Sequence, residues 1–531
     1  MSAEQIQIRR KELPKKGWSK IHFAAIFGVI VFLGAVVTVS FFKFSDNFGF
    51  FEPPLEISLQ GNFQIIKVPA NGNLQEAINK AKSGDIIEVQ AGATYNEIVL
   101  PNKPFTDFVT IRSSAFAKLP ENKRVSPKDS ALMAKIITRG GGKPAVSTEN
   151  GAHHYRFVGI EFAPNNADYI YNLVYFGTES AKLTDVPHDL EIDRCYFRPN
   201  KTGIVRRGLA LNSASTIVKN SYFEGFAFSG EETQGICGWT GTKNVKVLNN
   251  YIEGGAENAM FGGSDPANAE LIPQDIEVRG NYFYKPEIWK GKVSLKCLFE
   301  LKNAKRVLVS GNIFENNWLG AAFRITVRND GGKAPFSVIE DVLIENNIIN
   351  GAGDGINILG QDDVYPSQTM KNLTISNNLL LNIGDKKYEG SGFFIQASKG
   401  DNIKISNNTS FNSGSPIIFH GGLPTNFLFR DNIAGHGNYG IHGFENIKSP
   451  AAQKTFANNI FVNNRSIPNG ETSFSSNNFW VSDYNSVGFI NLTGNDFRLS
   501  PSSRFKGKGV NGANLGADAE KLPKESVKSG T

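Results

Sequence analysis

From about Leu74 to about Asp518 the chain alternates short apolar-x-apolar runs with polar, glycine-rich turns, and the runs share a template. TIVKNSYFEG (216–225), NVKVLNNYIEG (244–254), DIEVRGNYFYKP (275–286) and RVLVSGNIFENN (306–317) show it first. DVLIENNIING (341–351), NLTISNNLLLNIG (372–384), NIKISNNTSFNS (402–413) and NFLFRDNIAG (426–435) continue it. Each reads apolar-x-apolar-x-x-Asn-x-apolar-apolar. The Asn recurs at Asn220, Asn250, Asn281, Asn312, Asn347, Asn378, Asn408, Asn432, Asn459 and Asn478, at intervals of 30, 31, 31, 35, 31, 30, 24, 27 and 19 residues. Alternation with period two makes each run a strand with one inward face. A recurring unit of this size marks a solenoid, whose stacked repeats bury a common core. The Asn stands where the strand must bend into the next, because Asn tolerates the left-handed backbone region and can bond its own turn. Stacked amides can also bond along the ladder, as in cross-β stacks. The pattern predicts an all-β fold, a single-stranded right-handed parallel β-helix with rungs about 4.8 Å apart. A leucine-rich solenoid is excluded by the missing Leu framework.

The ends supply caps, which an open solenoid needs for its exposed edges. LQEAINKAK (74–82) places Leu74, Ala77, Ile78 and Ala81 on one helical face. GDIIEVQAGATYNEIVL (84–100) reads as strand, turn and strand. This order resembles the N-terminal cap and first rung of pectate-lyase-like β-helix proteins. NDFRLSPSSRFKGKGV…NLGAD (495–518) resembles the closing segment of that superfamily. The β-helix domain is expected over 66–518, with a charged, loose tail at 519–531.

Ahead of it, Ile21–Phe42 is an apolar run interrupted only by His22, Thr38 and Ser40. At about 1.5 Å per residue it could cross a hydrocarbon core of roughly 30 Å. Residues 1–20 hold six Lys/Arg against Glu4 and Glu12, so this tail is expected in the cytoplasm and the β-helix outside it. A cleaved signal peptide is the competitor, but Val39-Ser40-Phe41-Phe42-Lys43 is a poor cleavage site. The sequence thus predicts a basic tail (1–20), a transmembrane signal-anchor (21–42) and a linker (43–65). A formal net charge of +6 sits largely in that tail, leaving no basic face for nucleic acid. Cys195, Cys237 and Cys297 are far apart and odd in number, and are expected as buried thiols.

The repeat is scaffold, so departures from it are the candidates for function. The largest lies between Asn250 and Arg328. It brings Glu253, Glu257, Asn258 and Asp265 into a Gly-rich segment, followed by Glu300, Lys302, Trp318, Arg324 and Arg328. In CLFELKN alternation turns Phe299 and Leu301 inward, leaving Glu300 and Lys302 outside. In AAFRITVRN it leaves Arg324 outside, 22 residues on, about one short rung. At these residues the chain resembles polysaccharide lyases of the alginate and chondroitin type. The resemblance implies Lys302 as base and Arg324 as its assisting acid. It also implies Glu300 as a ligand of calcium that neutralises a uronate carboxylate; Asp265, in the neighbouring Gly-rich segment, is a further candidate ligand. Glu253, Glu257, Asn258, Trp318 and Arg328 would bind substrate. The segment ENAMFGGSDP departs from the lyase pattern and puts calcium in doubt. The stretch is closer to an uncharacterised group of bacterial exported β-helix proteins.

The chemistry implied is β-elimination, or C5-epimerisation by the same proton abstraction. The alternative is a non-catalytic β-helix binding a glycan or partner at the cell envelope. Asp362-Asp363 is the only adjacent acidic pair suggesting a polygalacturonase-type hydrolase, and its surroundings match poorly. His420 and His442, also 22 apart, are a ladder or ligand pair.

Overall fold

The computed structural model describes residues 30–32, 35–37, 63–166, 168–443, 456–463 and 478–524. It divides into two units, 1–62 and 63–531. In the first, the described residues form two strands, Ile30–Phe32 and Ala35–Val37, paired antiparallel. This corrects the transmembrane helix expected over 21–42, since no helix among the described residues is long and apolar enough to cross a membrane. The single-pass membrane location inferred from that helix falls with it. The physical reason is that apolarity alone does not choose between helix and strand, and the run is rich in β-branched Val and Ile around Gly34. The basic tail, and residues 43–62 of the linker, lie outside the described residues.

The second unit opens with the strand Ile65–Val68 and a short helix, Leu74–Lys80. Asn73 caps the helix, its side-chain oxygen accepting from the Glu76 N–H at 3.0 Å. Leu74, Ala77 and Ile78 are buried, so the expected capping face is the one used.

Most middle rungs have three strands, the second and third running together in Ile313–Thr326 and Ile348–Leu359. Ala214–Lys219, Tyr222–Phe223 and Gln234–Gly238 are followed one rung on by Lys243–Leu248, Tyr251–Glu253 and Glu257–Phe261. Each pairs in parallel with its counterpart. First strands build a 14-stranded wall ending at Phe456–Ala457, and second and third strands share a 23-stranded sheet that supplies the other two walls. The predicted parallel β-helix is what forms. Its core is made of columns of like side chains: Val218, Val247, Val278, Val309, Ile344, Ile375, Ile405 and Phe429 follow one another in register and are all buried.

The Asn ladder lies between the first and second walls. Asn250, Asn281, Asn312, Asn347, Asn378, Asn408, Asn432 and Asn459 are fully buried. Each amide nitrogen donates to the oxygen of the next Asn, at 2.9–3.2 Å, ending on Asn478. The left-handed residue, however, is the one before: Asn249, Gly280, Gly311, Asn346, Asn377, Asn407, Asp431 and Asn458 all have positive φ. Asn220 belongs to this second set, and Ser221 takes the ladder position beside Asn250. The two tasks fall on adjacent residues: one takes the φ > 0 that the corner needs, and the next sends its amide into the stack. The tail expected to be loose after Ala519 folds back in part, with Leu522 buried in a cluster with Phe497 and Leu379.

Candidate functional site

Of the departures from the repeat, Glu257, Glu300 and Arg324 lie on strands of the third wall. Here Ala259, Phe299, Phe323, Ile356, Ile395 and Ile417 are in register and point into the core. The next position along each strand faces outward: Met260, Glu300, Arg324, Asn357, Gln396 and Ile418. Glu300 therefore stands opposite Arg324, and Lys302 is only its diagonal neighbour. The 22-residue spacing identified the right rung, but Phe299 pairs with Phe323 and that register moves Lys302 two positions along.

Lys302 is engaged: its ammonium lies 3.3 Å from Asp330. Arg328 is ion-paired with Asp363. Arg324 makes no ion pair among the described residues, and its Nε is buried without a hydrogen-bond partner. It lines a groove of ≈ 400 Å³ with Arg328, Asn357, Gln396, Lys399 and His420. Asn357, Gln396, Lys399 and His420 line the groove beside the two arginines and give it a polar surface with a cationic bias.

Other expected site residues are structural, and the structure corrects them. Glu253 is on the second wall, where its carboxylate takes the Tyr251 hydroxyl at 2.6 Å and the Gly225 N–H at 2.7 Å. Burial raises that carboxyl to about 7. Asn258 is fully buried, donating to the carbonyls of Ile252 and Tyr284, both at 2.8 Å. Trp318 is 1% exposed and packs against Tyr388, so it offers no face to a sugar. In each case a polar or aromatic residue expected at the surface is covered by neighbouring groups and spent on the protein's own contacts. Asp265 accepts the N–H groups of Gly331 and Lys333, both at 2.9 Å, and fastens a turn. Asp362 likewise holds the N–H groups of Asn329, Val364 and Tyr365. The three cysteines are buried and free.

Glu257 is buried as well, but in a charged cluster. Lys296 places its ammonium 2.9 Å from Glu257 and 2.8 Å from Glu300, whose side chains are 0% and 2% exposed. Burial and the charge of Glu257 push the Glu300 carboxyl up to about 7. Burial also opposes ionisation of Glu257, yet Lys296 and the Gln234 amide, 2.7 Å away, hold it below the usual carboxylate range. The ammonium of Lys296 is raised in turn, the two carboxylates outweighing its burial. These residues do not fit a calcium site. Glu300 already faces a fixed ammonium, Asp265 serves its turn, and no group of three His, Cys, Asp or Glu among the described residues is arranged to hold a metal.

Sequence reasoning missed Lys296, Asn357, Gln396 and Lys399. A signal was present: Phe323-Arg324-Ile325, Ile356-Asn357-Ile358 and Ile395-Gln396-Ala397 each set one polar residue between two core residues. Aligning the third strands by that alternation finds the groove column.

No protein-family model matches the chain, and no curated protein matches it. Among solved structures it is similar to the PL6 family alginate lyase AlyGC, at 15% identity and a TM-score of 0.52, over 88% of this chain and 59% of that one. A point mutant of the same enzyme gives 13% identity and 0.52, over 87% and 58%. A mannuronic acid specific family 6 lyase from human gut microbiota aligns at 14% identity and 0.47, over 79% and 91%. The chain thus shares the parallel β-helix fold with AlyGC. It spans less than two thirds of AlyGC's length.

Proposed function

We propose that the third wall binds an acidic, uronate-containing polysaccharide and acts on it by lyase or epimerase chemistry. The observation that carries the reading is Arg324, a guanidinium with no ion pair among the described residues, set in a groove with Lys399, Asn357 and Gln396. A planar fork of this kind suits a carboxylate, and the neighbouring amides suit sugar hydroxyls. Arg324 neutralises the uronate carboxylate and so stabilises the negative charge that develops when the C5 proton leaves. Lys302, one rung below, is the base; it acts only as the neutral amine, so its ammonium must first give a proton to solvent or to the adjacent Asp330 carboxylate before the nitrogen can take the C5 proton. The similarity in fold to an alginate lyase is compatible with this chemistry but does not choose it.

The Lys302–Asp330 pair favours the second reading, a glycan-binding β-helix without catalysis. One experiment separates them. The protein is incubated with alginate, pectate and chondroitin, following the ultraviolet absorbance of unsaturated ends, with solvent-proton exchange at C5 as the epimerase readout. Lyase action is expected to vanish in Lys302→Ala and Arg324→Ala. Retained binding with neither signal on any polymer establishes the binding reading. For either reading, Arg324→Ala is expected to weaken retention on an acidic polysaccharide by at least roughly tenfold, the cost of about 1.4 kcal/mol, with folding unchanged by circular dichroism.

A further inference from the structure

Two buried carboxylates meet one ammonium in the third wall. Charges so buried are tolerated only when paired, because burial removes the water that would solvate them. Glu257 and Glu300 both reach the same nitrogen of Lys296, at 2.9 and 2.8 Å. The contact with Glu300 is a charge-assisted hydrogen bond, and that with Glu257 is a close ion pair. The outer carboxylate of Glu232 stands 3.7 Å from that nitrogen. The second oxygen of Glu257 is held by the Gln234 amide at 2.7 Å. The main chain of Lys296 is fixed too: its N–H donates to the Ala256 carbonyl at 3.1 Å, and its carbonyl accepts from the Asn317 amide at 3.2 Å. The ammonium is therefore positioned as firmly as the carboxylates.

The family resemblance implies a calcium ligand at Glu300, and this ammonium is what Glu300 meets. We infer that Lys296 is an internal cation: its ammonium takes the place between Glu257 and Glu300 that a divalent ion would otherwise occupy, so this wall is assembled and held without a metal. A tethered charge differs from a bound ion in one testable way. It is present at every metal concentration and cannot be chelated. The inference does not depend on whether the neighbouring groove is catalytic.

The test uses the full chain and calcium chloride alone as probe, with thermal unfolding and equilibrium calcium binding as readouts. Wild type is expected to melt at the same temperature in EDTA and in millimolar calcium. Lys296→Ala leaves the two carboxylates facing each other and is expected to melt lower in EDTA. Calcium is then expected to restore much of the loss, and the further change Glu300→Gln to abolish that restoration. The neutralised combination of Lys296→Met, Glu257→Gln and Glu300→Gln is expected to fold and to ignore calcium. A wild-type melting temperature that rises with calcium, through a response removed by Glu300→Gln, overturns the inference. So does a folded Lys296→Ala protein that calcium neither binds nor stabilises. If Lys296→Ala does not fold even with calcium, the replaceability of the ammonium by a metal is refuted.

Discussion

Lys285 is a fully buried lysine. Its ammonium donates to the carbonyls of Gly254, Gly255 and Ala256, so all three of its hydrogens are used to fasten the turn between second and third walls. Burial lowers it from 10.5 to about 7. The sign of the consequence follows from proton counting. Between about pH 7 and 10.5 the unfolded chain binds more protons at this residue than the folded one. Stability is therefore expected to rise with pH through that window, by on the order of 1 kcal/mol per unit. Denaturant unfolding across the window should show this slope in wild type and lose it in Lys285→Met. A slope that survives the substitution assigns the titration to another group.

At the scale of the element, the Asn ladder does what the hydrophobic columns cannot: it satisfies buried backbone at a corner. Asn312 accepts from the backbone N–H and side-chain amide of Asn281 and donates to Val278 and Asn347. Asn312→Ala leaves several of these groups buried and unpartnered, and is expected to cost about 3 kcal/mol. Asn478, at the end of the ladder and only half-buried, has fewer partners, and its replacement by Ala is expected to cost about 1 kcal/mol. Urea unfolding of the two variants checks the order. A second corner device lies at the start of the first-wall strands. There Ser215, Asn244, Asp275, Arg306, Asp341, Asn372 and Asn402 have positive φ. Asn372 and Asn402 each donate 2.7 Å to the residue one rung back, making a shorter and exposed ladder.

The β-helix unit as a whole must protect the ends of its stacked walls. At one end the helix Leu74–Lys80 lies over the first rung. At the other, Phe505 and Leu515 cover Ile433, Ile460 and Val462. Removing 478–524 bares both that apolar cluster and the edge of the strand Ile460–Val462, to which Phe479–Val481 is paired. An open edge of this kind recruits another copy. The truncated protein is expected to assemble in a concentration-dependent way by sedimentation velocity, while Phe505→Ala, which keeps the paired strand, loses stability by about 3 kcal/mol without that assembly.

The fold was legible because it rests on local rules repeated many times. Alternation sets the inward face of each strand, and a recurrent Asn can mean only a corner met again and again. Asn250 to Asn459 are identifiable by spacing alone. The site was legible in part. The sequence located the third-wall strands bearing Glu300, Lys302 and Arg324, since alternation says which residues face out. It could not set the register between rungs joined by loops of unequal length, and so paired Arg324 with Lys302 instead of Glu300. Nor could it tell an outward residue from a buried one at Glu253, Asn258 and Trp318. Those choices depend on what covers each residue, and the covering groups come from distant parts of the chain, as Lys296 does for Glu257 and Tyr388 for Trp318. Periodicity belongs to the sequence; neighbours in space belong to the tertiary structure.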